Sequence, residues 1–147
     1  MSAVVDIVNR QEEFAITAEF EDLLRGAALA ALAAGDWRGQ AELSLCLMDD
    51  AAMADLNRRY RGMEGPTDVL AFPQAGPAPP EGPPHLGDVV IGVQRAAAQG
   101  ASLEEELMQL TIHGVLHLLG FDHEDAEGAG AMQGRERLAR SAAAPSP

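Results

Sequence analysis

The sequence has no lysine and one residue each of cysteine, tryptophan and tyrosine. Its ten cationic side chains are all arginine. They face 23 acids, for a net charge of −13. A chain this acidic repels bulk polyanions, which excludes a protein that coats nucleic acid wholesale. A small, local site for an anionic substrate is still allowed. The lone Cys46 has no partner for an intramolecular disulfide, as suits a reducing cytoplasm. The opening MSAVVDIVNRQEEF carries acids where a secretory leader carries basic residues and then an apolar run. The longest apolar run, Ala27 to Ala34, falls well short of the roughly 20 residues that cross a bilayer. No membrane association is expected.

The 147 residues make one domain, and an apolar share of 47% is enough for one core. Strands are predicted at Val4–Val8, Glu42–Met48, Val69–Phe72 and Asp88–Val93. The second is read as buried largely on both sides, with Cys46 in the core. Thr17 caps a first helix that ends at Gly35. Asp49 or Asp50 caps a second, with Met53, Leu56 and Tyr60 facing inward. Gly62 to Pro66 breaks that helix. Residues 74–86 hold five prolines and read as an exposed loop that includes His85. A short helical piece covers Gln94–Gln99. Ser102 and Glu105 form a capping box that opens a helix over Leu103–Leu119, closed by Gly120. A last helix covers about Gly128–Arg140, and 141–147 read as a frayed tail. The expected fold is α+β: a single small domain with a mixed sheet of four strands packed by five helices.

Three of the four histidines fall in eleven residues, His113-Gly-Val-Leu-His117-Leu-Leu-Gly120-Phe-Asp-His123. Side chains four apart on a helix lie one above the other, with Cβ atoms about 5–6 Å apart. Two such imidazoles can converge on one ion. Gly120 suits the left-handed residue that ends a helix, and the returning chain can then supply His123. Three histidines leave one tetrahedral position open, the pattern of a catalytic rather than a structural site. The expected ion is Zn²⁺, with Ni²⁺ or another divalent metal also compatible. Glu106, Gln109, His113 and His117 form one polar stripe aimed at a cleft. Zinc proteases share this ligand spacing but need a glutamate directly after the first histidine as general base. Here that position is Gly114, which argues against peptide hydrolysis.

Arg58, Arg59 and Arg61 are the only dense basic cluster, and they are the candidate substrate-binding residues. The guanidinium fork matches phosphate oxygens. Arg61, before a glycine-rich turn, is best placed to reach a cleft. In a reaction at phosphorus it is the candidate catalytic residue, stabilising charge on the phosphate.

Three segments together resemble the YbeY family of bacterial rRNA maturation factors, described as single-strand-specific endoribonucleases. They are the histidine motif, Asn57-x-x-Tyr60-Arg61 followed by Pro66-Thr67-Asp68-Val69-Leu70-x-Phe72-Pro73, and Leu86-Gly87-Asp88-Val89-Val90-Ile91. Together they cover most of residues 57–123. The resemblance implies metal ligands at His113, His117 and His123 and a functional Arg61. It also implies a cytoplasmic role in 16S rRNA 3′ end maturation and ribosome quality control. The implied partners are single-stranded RNA, the small ribosomal subunit and its assembly proteins, with no DNA. Glu64 and Gly65 replace the family's usual Asp-Lys, which removes a cation, and Ala71 replaces a usual serine. A non-catalytic, metal-stabilised assembly factor is the competing expectation. The sequence also leaves open whether water or the RNA's own 2′-hydroxyl attacks phosphorus. Asp122 is expected beside the ligands or in the helix end, and Asp68 and Asp88 are expected as turn or strand-end residues.

Overall fold

A computed structural model describes residues 3–74, 83–100, 102–121 and 126–143. Four strands and five helices follow the order β1 (Ala3–Asn9), α1 (Ala18–Ala34), β2 (Ala41–Met48), α2 (Asp50–Arg61), β3 (Val69–Pro73), β4 (His85–Gly92), α3 (Val93–Gln99), α4 (Leu103–Leu118) and α5 (Ala126–Ala143). The expected α+β architecture is the one observed. The sheet order is β1-β2-β4-β3. β1, β2 and β4 run parallel, and β3 pairs antiparallel with β4. The parallel β1–β2 pair needs a crossover, and α1 supplies it.

One face of the sheet carries the main core. Leu43, Leu45 and Leu47 of β2 and Val89 and Ile91 of β4 are buried there. They meet Leu24 and Leu32 of α1, Leu107, Ile112 and Leu116 of α4, and Met132 of α5. The other face is covered over a smaller area, where Met53 of α2 packs with Leu70 and Val90. β2 is therefore fully buried on one side and half-buried on the other, instead of buried on both. Cys46 lies on the half-buried side.

Helix ends follow their local chemistry. Thr17 Oγ1 accepts from the Phe20 N–H, Asp49 Oδ1 from the Ala52 N–H, and Ser102 Oγ from the Glu105 N–H. Each satisfies a donor that the first helical turn leaves unpaired. Gly62 caps α2, donating its N–H to the carbonyl of Arg58. Gly120 has φ +99°, the conformation predicted for it.

Several expectations need correction. Tyr60 is not inward-facing: it is 62% exposed and meets Phe72 edge-on at 5.1 Å. Asn57 takes the inward position beside Met53. His85 does not lie in an exposed loop. It begins β4, pairs in register with Glu42 and is half-buried. β4 thus starts three residues earlier than Asp88, and Asp88 sits inside the strand. Gly87 makes that start possible. Its φ is +135°, and a Cβ there would meet the Phe72 carbonyl oxygen at 2.2 Å. α5 extends to Ala143, so the first part of the expected tail is helical. Most of the proline-rich segment, along with Asp122, His123 and 144–147, lies outside the described residues.

Candidate active site

α4 crosses the sheet with two of its imidazoles paired. His113 Nε2 and His117 Nε2 lie 3.1 Å apart, with ring centroids 4.6 Å apart. Two nitrogens bound to one zinc at about 2.0–2.1 Å, near the tetrahedral angle, are about 3.3 Å apart. The pair therefore fits two adjacent ligands of one ion. Among the described residues no group of three or more His, Cys, Asp or Glu completes a metal site. His123, the expected third ligand, lies outside them.

The position of α4 is set by Gly114. A Cβ there would lie 2.4 Å from Val89 Cγ1 and 3.3 Å from Val69 Cγ2. The missing side chain lets the helix rest directly on β4 and β3, with His113 and His117 half-buried alongside. A protease's glutamate has no room at this position. Peptide hydrolysis by that route is thus disfavoured sterically as well as chemically.

Sequence reasoning overlooked a carboxylate. Glu136 Oε2 of α5 lies 3.6 Å from His113 Nδ1, and both side chains are largely shielded from solvent. Arg135 fixes α5 in place. It donates to the Ala34 carbonyl at 2.7 Å and to Asp36 Oδ2 at 2.6 Å, and it covers the Phe121 ring at 5.2 Å.

A cleft of about 390 Å³ is lined by His113, Gly114, His117, Arg61 and residues of the Thr67–Pro73 segment, Asp68 among them. It joins the end of α2 to the middle of α4, so Arg61 shares one cavity with both histidines. Arg58 and Arg59 are directed elsewhere. Both are exposed and pair with Asp55, at 2.7 Å and 3.4 Å. Neither lines the cleft.

Asn57 holds the turn that follows Arg61. Its side chain is buried, and Nδ2 donates to the Gly65 carbonyl at 2.9 Å. Arg95 reaches the Pro66 carbonyl at 3.4 Å, and the Gly92 N–H donates to the Asp68 carbonyl at 2.8 Å. The motif asparagine was visible in the sequence, but its role depends on a contact eight residues away.

Comparison with known proteins follows the same outline. The family model described as "Endoribonuclease YbeY" matches residues 6–143. A Moorella thermoacetica protein named Endoribonuclease YbeY is 45% identical over 141 residues, spanning 88% of this chain and 90% of its own. The Pelotomaculum thermopropionicum protein of the same name is 42% identical over 137 residues, with the same coverage. The Mycobacterium leprae one is 50% identical over 109 residues, spanning 65% of this chain and 61% of its own. Among solved structures, TM1509 from Thermotoga maritima superposes with a TM-score of 0.56 at 22% identity. It covers 94% of this chain and 90% of its own, a likeness of fold. With a match over nearly the whole sequence and a relative 45% identical across most of both chains, the chain belongs to the endoribonuclease YbeY family.

Proposed function

We propose that this protein is a metal-dependent, single-strand-specific endoribonuclease that acts in rRNA processing, including maturation of the 16S rRNA 3′ end. One observation carries the reading: Arg61 and the paired imidazoles of His113 and His117 line a single cleft. Membership of a family whose named relatives are endoribonucleases supports it.

His113 and His117 would hold a divalent ion, with His123 as third ligand by the motif. Zn²⁺ suits three neutral imidazoles best, and Ni²⁺ or a similar ion is compatible. Such an ion, when bound, supplies Lewis-acid polarisation of a phosphoryl oxygen and a water of lowered pKa. The chain's own residues do the rest. The Arg61 guanidinium grips the non-bridging oxygens of the scissile phosphate and faces the negative charge that builds there. Glu136 keeps the His113 ring oriented so that Nε2 faces His117. Asn57 keeps Arg61 at the cleft mouth.

Substrate selection belongs to the whole surface. A net charge of −13 opposes long-range capture of free RNA. The cleft therefore meets its strand through docking on the small ribosomal subunit and its assembly proteins, in the cytoplasm. Among the described residues no helix is long and apolar enough to cross a membrane.

The test compares the parent with Arg61→Ala and His117→Ala, each confirmed as folded, on single-stranded RNA and on a peptide. The parent cleaves RNA and leaves the peptide intact, and both variants lose activity. Full RNA cleavage by a folded, metal-free His117→Ala protein would overturn the reading. Product ends identify the attacking group: a 2′,3′-cyclic phosphate assigns it to the RNA's 2′-hydroxyl.

A further inference from the structure

His113 lines two hollows. Behind the cleft that holds Arg61, a second hollow of about 330 Å³ lies between α4 and α5, bounded by Gln109, His113, Gln133, Glu136, Arg137 and Arg140. We propose that this second hollow is a phosphate subsite, in which Arg137 and Arg140 hold a backbone phosphate of the strand whose scissile bond lies in the Arg61 cleft. The inference rests on the endoribonuclease reading above and extends it to the path of the substrate.

Three observations carry it. First, four of the ten arginines of this acidic chain pair with carboxylates among the described residues. Arg25 pairs with Asp22 and Glu21, Arg58 and Arg59 with Asp55, and Arg135 with Asp36. Arg137 and Arg140 have no ion pair or hydrogen bond among the described residues, and neither has Arg61. Of the arginines whose side chains show no such partner among the described residues, Arg10, Arg38, Arg61, Arg137 and Arg140, the last three line the two hollows that share His113.

Second, the hollow offers neutral donors beside its charges. Gln109 and Gln133 line it, and the carboxylate that shares it, Glu136, lies against His113. Two guanidinium groups, three residues apart on one helix, and two amides match a phosphodiester, which offers only acceptors.

Third, one wall of the hollow is an anchored helix. Arg135 ties α5 to the end of α1, so the neighbouring Arg137 and Arg140 are presented toward α4. A strand crossing His113 meets Arg61 on one side and this pair on the other.

The test uses the full chain with its metal. Arg137→Gln/Arg140→Gln is compared with the parent and with Arg10→Gln/Arg38→Gln, which removes the same charge from positions that line neither hollow. Cleavage of a single-stranded oligoribonucleotide and of a dinucleotide is followed, together with anisotropy of the labelled oligonucleotide across a salt series. The α5 variant is expected to raise KM for the oligonucleotide about threefold to tenfold, the range two exposed ion pairs give. Its kcat is retained, and the dinucleotide, with a single phosphodiester, is cleaved as by the parent. The salt slope of binding falls by about 0.7, the share of one phosphate contact on a single strand. Equal KM and equal salt slope in parent and α5 variant overturn the subsite, as does an equal effect from Arg10→Gln/Arg38→Gln. A parent that cleaves no RNA overturns the endoribonuclease reading, and the anisotropy series then decides the subsite alone.

Discussion

Glu136 and His113 meet across two helices, and the contact sets what the imidazole presents. A carboxylate 3.6 Å from Nδ1 favours the ring orientation that leaves Nε2 for the cleft. Glu136→Gln is expected to weaken metal binding about tenfold to hundredfold, read by competition with a chromophoric chelator while circular dichroism stays unchanged. Unaltered affinity would refute the role. Cys46 gives a second prediction at this scale. Burial, first, and the charge of Asp88, second, push its thiol above the ordinary value of 9.0, against a smaller opposing pull from Arg10. The folded state thus keeps its proton where the unfolded state has lost it. Stability should fall as pH climbs above 9.0, and Cys46→Ser should flatten that part of the urea-midpoint profile. The paired histidines were legible in the sequence because helical spacing alone brings them together. Glu136 was not, because its contact depends on how α5 docks.

At the scale of elements, the α2–turn–β3 unit acts as one device. Asp49 starts the helix, Gly62 ends it, and Asn57 fastens the outgoing turn through the Gly65 carbonyl. Asn57→Ala removes a buried hydrogen bond and should cost about 1–3 kcal/mol in urea unfolding. It should also lower kcat/KM on RNA while metal content holds, because Arg61 loses its mounting and the histidines do not. Metal loss in that variant would contradict the assignment. The sequence marked the limits of this helix but rotated its inner face, placing Tyr60 inside. α2 covers only a small patch of sheet, so its buried stripe is Met53 and Asn57, too narrow to read by periodicity. The start of β4 was hidden for another reason. Prolines before His85 signalled a loop, whereas pairing of His85 with Glu42 is a long-range contact that local chemistry does not announce.

For the whole molecule, an ion held at His113 and His117 would couple binding to folding. A ligand held only by the native state stabilises it by mass action, about 2.7 kcal/mol at a free concentration of 100 Kd. For a chain of this size that is about 5–10 °C in Tm. Chelation should therefore lower Tm by about this amount and abolish RNA cleavage, and re-addition of Zn²⁺ should restore both. A Tm unmoved by chelation would mean that no ion is held at His113 and His117. The missing Cβ of Gly114 has a consequence on this scale too. Val89 acts as a ruler under α4: the strand sets the height at which both imidazoles stand above the sheet. Anything that thickens that layer, even a single methyl, lifts the two rings together relative to Arg61. Damage to the packing of this protein should therefore be felt first as silent enzyme and only later as unfolded chain.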